Sequence, residues 1–470
     1  MTDQNQRQQL IDKLNQLAAN NSDITINSDA DAREQYGRDW TRVHSPDPLA
    51  IAFPRSVEAV QQLVLWANEH RLAIVPSGGR TGLSGGAMAC EGELVVSLEK
   101  MNQILDFNPV DRSVTCQAGV ITEVLQNFAE EQGLYYPVDF ASRGSSQIGG
   151  NIATNAGGIK VIRYGMTRDW VAGLTVVTGK GDILKLNLDL VKNASGYDLR
   201  HLFIGSEGTL GIVTEACIRL TSKPKSPSVM VMACHTMSDV MNILRLFQQQ
   251  IELSAFEFFT DNAMQQVLAK SVPAPFDTRT RFYVLIEAES NGDQVEELLL
   301  NLYEQCAEQS WLEDGVMSQS DQQAADLWRL REEISESIAQ FTPYKNDVSV
   351  TVSKVPEFLA KVDPIISREY PDYDVLWYGH IGDGNVHINI LKPENLSKEQ
   401  FVASCEQVNR LIFDQVKAFG GSISAEHGVG LLKKNYLDYT REATEISYLK
   451  QIKQVFDPNN IMNPGKILDC

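Results

Sequence analysis

Cysteine, histidine and positive charge are all scarce in this sequence. Its seven cysteines, Cys90, Cys116, Cys217, Cys234, Cys306, Cys405 and Cys470, stand far apart, with no C-x-x-C pair and an odd total. That pattern argues against a disulfide framework and a thiolate zinc site, and most of the cysteines are expected as buried small hydrophobes. Lys and Arg number 41 against 61 Asp and Glu, a net charge of −20. Such a surface repels a polyphosphate backbone, so no nucleic-acid partner is expected. No run reaches the ~18 apolar residues of a membrane-spanning helix. The opening MTDQNQRQQLIDKLNQL is too polar for a signal peptide, and a cytoplasmic location is expected. There is no repeat period and no low-complexity stretch. What remains is a globular composition, 43% hydrophobic and 22% charged over 470 residues, enough for roughly two or three domains.

Residues 1–48 read as a polar arm with one short amphipathic helix. From Leu49 strands and helices alternate: LAIAF, then a Ser56 cap and a helix with Val60, Leu63, Val64 and Ala67 at helical spacing, then LAIVP. Further on, WVAGLTVVTGKGDILKL predicts a hairpin with Gly179 to Gly181 at its tip. Composition breaks at TSKPKSPS, residues 221–228. Beyond it, VMVMACH, a helix, AFEFF, RFYVLIEAE and a second helix suit an antiparallel sheet with helices on one face. The fold class is α+β. Expected domains are the arm, a two-lobed module at 49–222, an antiparallel-sheet domain at 223–410, and a C-terminal segment at 411–470.

Three glycine-rich runs stand out: SGGRTGLSGGA after the strand ending at Pro76, SSQIGGNIATNAGGIKVIRYG at 145–165, and IGSEGTLGIVTEA at 204–216. A missing Cβ lets backbone N–H groups converge on an anion, and Arg80 adds charge. Neither the G-x-G-x-x-G nor the Walker spacing is present. Gly82-Leu83-Ser84-Gly85-Gly86 matches G-x-S-x-G, but no H-G-G-G segment accompanies it, which weighs against a serine hydrolase. Flexible turns are the bland alternative for one loop and a poor one for three. Together the runs suit a groove for a flat, phosphorylated cofactor.

Three of the seven histidines fall in two motifs, HIGDGNVHIN (380–389) and AEHG (425–428). In VHINI, Val386, Ile388 and Ile390 alternate with His387 and Asn389, so one strand face is apolar and the other carries imidazole and amide. A turn at Gly382 to Gly384 can return His380 to His387. Glu426 then completes a His2Glu set for Zn2+ or a related divalent ion; hydrogen-bonded strand histidines beside a surface Glu are the alternative. Arg331 and Ser335, four apart, share a predicted helix face, and Lys345 precedes the alternating strand VSVTV. From the residues alone, ordinary solvated charges are the usual explanation of such groups.

PSGGRTG, PVDFASRGSSQIGGNIATNAGG, GSEGTLGIVTEA and the terminal DPNNIMNPGK resemble the FAD-binding flavoproteins of the vanillyl-alcohol oxidase/p-cresol methylhydroxylase superfamily, from about Leu49 to Leu468. Within it the chain is most similar to the D-2-hydroxy-acid dehydrogenase branch that contains the D-2-hydroxyglutarate dehydrogenases. The resemblance implies an FAD site built from Pro76, Ser77, Gly78, Gly79, Arg80, Thr81, Gly82, Pro137, Asp139, Ser145, Gly149, Gly150, Thr154, Asn155, Gly158, Glu207, Gly208, Ile212 and a returning Asn463. The pyrophosphate would lie on Ser77 to Gly82. Residues 76–86 hold no His or Cys, so the FAD is expected to be non-covalent. The resemblance also implies His380, His387 and Glu426 as metal ligands, and His427 as the base. Arg331, Ser335, Lys345, Asn389 and His427 would hold a small D-2-hydroxy acid, expected to be D-2-hydroxyglutarate, as its C2 hydride passes to flavin N5 and 2-oxoglutarate forms. Relatives commonly carry Thr where this chain has Ser335, which keeps the donor and loses a methyl group. D-lactate or glycolate oxidation and a non-catalytic flavin-binding subunit are the rival functions. The electron acceptor, an electron-transfer flavoprotein or a quinone, is not legible, nor is the oligomeric state, a homodimer included.

Overall fold

A computed structural model describes residues 4–41, 44–224, 227–289 and 293–470. The chain forms two compact units: Met1–Gly158, Met166–Lys223 and Glu426–Cys470 in the first, Ile159–Gly165 and Pro224–Ala425 in the second. Residues 225 and 226, within the expected boundary at 221–228, lie outside the described residues, as do 1–3 and 42–43 of the expected arm. These units differ from the sequence-based domains in where three segments go. The expected arm belongs to the first unit, because Ile24–Asn27 pairs antiparallel with Ala50–Pro54. A four-residue strand between Asn and Asp residues is too short to show alternation. Residues 159–165 join the second unit, where the helix Val161–Tyr164 lies on the strand Leu253–Thr260. A cut at 410 would bisect the helix Lys398–Ala418, whose buried Val408, Ile412 and Val416 form one stripe.

The first unit holds two lobes. One is a four-stranded sheet in the order Ile24–Asn27, Ala50–Pro54, Leu94–Ser97, Ile74–Ser77, parallel except at its first pair. Its central strands are apolar up to the terminal Ser97 because both faces are covered: Ala50, Ala52 and Val96 join the main core, while Ile51, Phe53 and Val95 pack on Ala32 and Ala89. The other lobe is a five-stranded antiparallel sheet, Ile104–Asn108, Ser113–Gln117, Gly211–Arg219, Val171–Thr178, Ile183–Leu186. It includes the expected hairpin, closed by Gly181 at positive φ. The helix Val57–His70 starts where Ser56 accepts the Ala59 N–H at 3.3 Å, and it packs against strands of both lobes. Val60, Leu63, Val64 and Ala67 are fully buried in their shared core.

The second unit is a seven-stranded antiparallel sheet in the order Asp314–Met317, Pro227–Cys234, Phe282–Glu289, Leu253–Thr260, Val375–Gly379, Asn385–Ile390, Tyr344–Ser349. One face carries Val229, Val231, Ala255, Phe259, Tyr283 and Leu285 against Ala324, Leu327, Trp328 and Leu330 of the helix Asp321–Glu332. Among the described residues no helix is long and apolar enough to cross a membrane.

Candidate functional site

The three glycine runs meet within the first unit. A Cβ on Gly79 would lie 2.2 Å from the Ser145 carbonyl, one on Gly208 2.9 Å from Pro76, and one on Gly149 2.6 Å from the Ala118 Cβ. Gly158, at φ +157, sits against the Asp139 carbonyl. Only glycine permits these approaches, which is why one groove consumes so many. The C-terminus closes it. Asn463 N–H donates to the Ile74 carbonyl at 2.7 Å, and its Nδ2 donates to the carbonyls of Gly86 and Glu207 at 2.8 and 2.7 Å. Lys453 holds that return by donating to Thr209 O, Met462 O and Asp457.

Three buried oxygens of this cradle have no hydrogen-bond partner among the described residues: Ser77 Oγ, Gln147 Oε1 and Asn463 Oδ1. Unsatisfied buried oxygens cost ~1–3 kcal/mol each, so a cradle that aligns three of them and leaves open space above Gly150 fits a polar, flat ligand such as FAD. Several residues of the expected set also make contacts within the protein. Thr154 Oγ donates to Gly150 O, the Asn155 side chain accepts the Arg168 N–H, Ile212 is core, and the Arg80 guanidinium lies over the Tyr36 ring while donating to Gly78 O. Gly82 accepts the Trp40 N–H, Asp139 pairs with Arg143, Pro137 is buried, and the Ser145 side chain is exposed.

Glu207 is also committed. Its carboxylate accepts the N–H groups of Val429 and Gly430 at 2.7 and 2.8 Å, while Leu431 N–H donates to Ser84 O at 2.9 Å. Burial pushes the Glu207 carboxyl up to about 6, against the pull of those N–H groups and of Lys433. The segment that begins with Glu426 and His427 is therefore pinned to both the first and third glycine runs.

In the second unit, antiparallel register builds a polar row on the sheet face that elsewhere carries the apolar cluster. Lys345 stands opposite Asn389, Asp347 opposite His387, and His387 opposite Tyr378. The expected alternation holds: Val386, Ile388 and Ile390 occupy the other face and are fully buried. The turn after Gly379 returns His380, and the two imidazoles lie 5.4 Å apart, edge to face. His380 Nδ1 is 2.8 Å from Glu257, and His387 Nδ1 faces Asp347 at 3.6 Å. Asp347 also accepts the Ala425 N–H at 3.2 Å, one residue before Glu426. Each ring thus turns Nδ1 to a carboxylate, the arrangement that leaves Nε2 for a metal.

Arg331 and Ser335 do not share one helix, which ends at Glu332; Ser335 belongs to the short helix Ile334–Ser337. They still reach the same row. Arg331 forms an ion pair with Glu257 at 2.9 Å and stacks over Tyr378, while neither its Nε nor its Nη2 makes a hydrogen bond among the described residues. Lys345 Nζ donates to Ser335 Oγ at 2.7 Å, and burial lowers its pKa. Asn389, 1% exposed, leaves both amide atoms unpaired among the described residues. Sequence reasoning missed Glu257, Asp347 and Gln147. The signal for Glu257 was one carboxylate inside the apolar strand LSAFEFFT; Asp347 and Gln147 carried none.

Residues 48–187 match the family described as FAD binding domain, and 223–467 match FAD linked oxidases, C-terminal domain. The chain is 57% identical to the D-2-hydroxyglutarate dehydrogenase of Stutzerimonas stutzeri (strain A1501), over 97% of this chain and 98% of that protein. It is 58% identical to that of Xanthomonas citri pv. viticola, over 93% and 92%. Among solved structures, p-cresol methylhydroxylase with bound substrate shares the fold at a TM-score of 0.78 and 16% identity, covering 99% of this chain and 98% of that one. With a cradle suited to FAD, both domains matched and two curated relatives well above half identical, the chain belongs to the D-2-hydroxyglutarate dehydrogenase family of FAD-linked oxidases.

Proposed function

We propose that this protein oxidises D-2-hydroxyglutarate to 2-oxoglutarate, with FAD held non-covalently and a divalent metal, Zn2+ or a related ion, held by His380, His387 and Glu426. The observation that carries the reading is Asn389: a fully buried amide with both ends unpaired, set between Lys345 and His387 in the polar row. Burial without partners is costly unless a ligand supplies them.

Bound FAD supplies a two-electron acceptor for the C2 hydrogen and its electron pair. A bound divalent ion makes the substrate hydroxyl more acidic. The chain's own residues do the rest. His427 takes the hydroxyl proton, the general-base role an imidazole can fill. It stands at the head of the segment that Glu207 and Ser84 clamp, so its backbone is fixed before substrate arrives. Asn389 and Arg331 offer donors to the carboxylate and hydroxyl at the reacting end, and Arg331 has a guanidinium N–H to spare. Lys345, steadied by Ser335, serves the distal carboxylate. A second cationic group, Lys345, beyond the one that serves the reacting end is best explained by a diacid.

The test is anaerobic bleaching of the protein-bound flavin by a panel of D-2-hydroxy acids. D-2-hydroxyglutarate should bleach it fastest and yield 2-oxoglutarate. Preference for D-lactate or glycolate would move the function to a monoacid dehydrogenase. No bleaching by any member would point to a non-catalytic flavin protein.

A further inference from the structure

We propose that Glu257 is a positioning residue shared by the metal site and the substrate site: it fixes the tautomer of His380 and aims Arg331. The inference rests on the metal reading above and adds a residue and a mechanism to it.

Glu257 is 1% exposed, on the only described strand of the second unit that brings a carboxylate to both groups. One side of its carboxylate meets His380 Nδ1 at 2.8 Å, and Oε2 meets Arg331 Nε at 2.9 Å. An ionised carboxylate only accepts, so the imidazole carries a proton on Nδ1, and in the neutral ring that places the lone pair on Nε2. That is the form a metal ligand needs, and it is set before any ion binds. The Arg331 partner matters equally. A buried carboxylate facing a neutral imidazole alone would be poorly compensated, and the guanidinium supplies the opposite charge. In return the ion pair holds Arg331 against the Tyr378 ring, and its Nη2 keeps no hydrogen-bond partner among the described residues.

The adjacent carboxylate on the same sheet face, Glu287, does not compete for these groups. It is engaged by Lys160 at 3.2 Å and by Trp328 Nε1 at 2.8 Å. Glu257 is therefore the carboxylate that the rows leave for His380 and Arg331. A residue that only neutralised Arg331 would affect substrate binding alone. One that also sets the imidazole must affect metal affinity in the absence of substrate.

The experiment titrates flavin-loaded, metal-stripped protein with Zn2+ against a chromogenic chelator, for wild type, Glu257→Gln and His387→Ala. The amide of Glu257→Gln removes the charge and can donate to Nδ1, reversing the tautomer. Its Zn2+ dissociation constant should rise ~10–100-fold, as for loss of an outer carboxylate partner. KM for D-2-hydroxyglutarate at saturating Zn2+ should rise as well. Wild-type affinity in Glu257→Gln overturns the role of Glu257 while leaving the metal reading intact. Zn2+ binding by neither wild type nor His387→Ala overturns both. A measurement on the unmutated chain guards against a variant that does not fold. In 15N-histidine-labelled, metal-free protein, the ring signals lost in His380→Asn should have the pattern of an imidazole protonated at Nδ1. Protonation at Nε2 overturns the proposal.

Discussion

Replacing Lys345 with Met keeps most of the side-chain volume and deletes the charge, so it isolates what the ammonium does. In the folded protein that ammonium is buried, donates to Ser335 Oγ at 2.7 Å, and has no carboxylate within ion-pair distance among the described residues. Two of its three N–H groups are left for a ligand. A charge-assisted hydrogen bond to a carboxylate contributes roughly 1.5–3 kcal/mol, or about 10–150-fold in an equilibrium constant. The expected loss in kcat/KM for D-2-hydroxyglutarate is of that size, while D-lactate, which lacks the distal carboxylate, should change little. The same burial makes an independent statement about stability. Because desolvation lowers the Lys345 pKa, the unfolded chain binds this proton more tightly than the folded one. Stability from this group therefore rises as pH climbs from the lowered folded value to the usual ~10.4. Lys345→Met should remove that alkaline rise and be no less stable than wild type at neutral pH. Steady-state kinetics with both substrates and urea unfolding at neutral and alkaline pH decide the matter. Equal losses for diacid and monoacid would place Lys345 on the carboxylate they share and refute the reasoning.

Gly79→Ala sets a Cβ 2.2 Å from the Ser145 carbonyl, so the variant should lose FAD on gel filtration; flavin retained at wild-type stoichiometry would contradict the cradle. His427→Ala should keep flavin and metal, measured by absorbance and elemental analysis, yet lose ~10²–10⁴-fold in turnover. Glu207, raised by burial to about 6, binds its proton more tightly in the folded state than in the unfolded one. Its contribution is present at low pH and falls by about 2 kcal/mol as pH rises through the window from ~4.3 to 6. Glu207→Gln should flatten that part of the stability profile, as followed by urea unfolding at pH 5 and pH 7.

The elements with strong periodicity were readable from sequence: the helix capped by Ser56, the Gly181 hairpin, and the two-faced strand holding His387 and Asn389 appear as expected. What the sequence did not show was long-range. Thr154, Asn155 and Glu207 stand in the expected motifs, and they also hydrogen-bond to Gly150, Arg168 and the Val429–Gly430 backbone. No local pattern reveals which partner wins such a competition. Asp347 is one acidic residue among many until register sets it opposite His387. The same limit explains the four-stranded sheet. Ile24–Asn27 is polar enough to read as an arm, and it becomes a strand because Ala50–Pro54 offers it an edge.

The return of the C-terminus bears on how the molecule is made. Asn459 and Asn68, 391 residues apart in sequence, are hydrogen-bonded, and Ile74 exchanges backbone hydrogen bonds with Ile461 and Asn463. A ribosome that has delivered the first sheet and all three glycine runs must still translate Pro224–Ala425, the bulk of the second unit, before the strand Ile74–Ser77 meets these partners. During that interval Ile74 N–H and C=O face no protein partner, and the nascent groove lacks its closing amide. Cofactor loading is thereby tied to the return of this segment, so that premature termination anywhere in Pro224–Ala425 gives a product with every glycine run and no finished cradle.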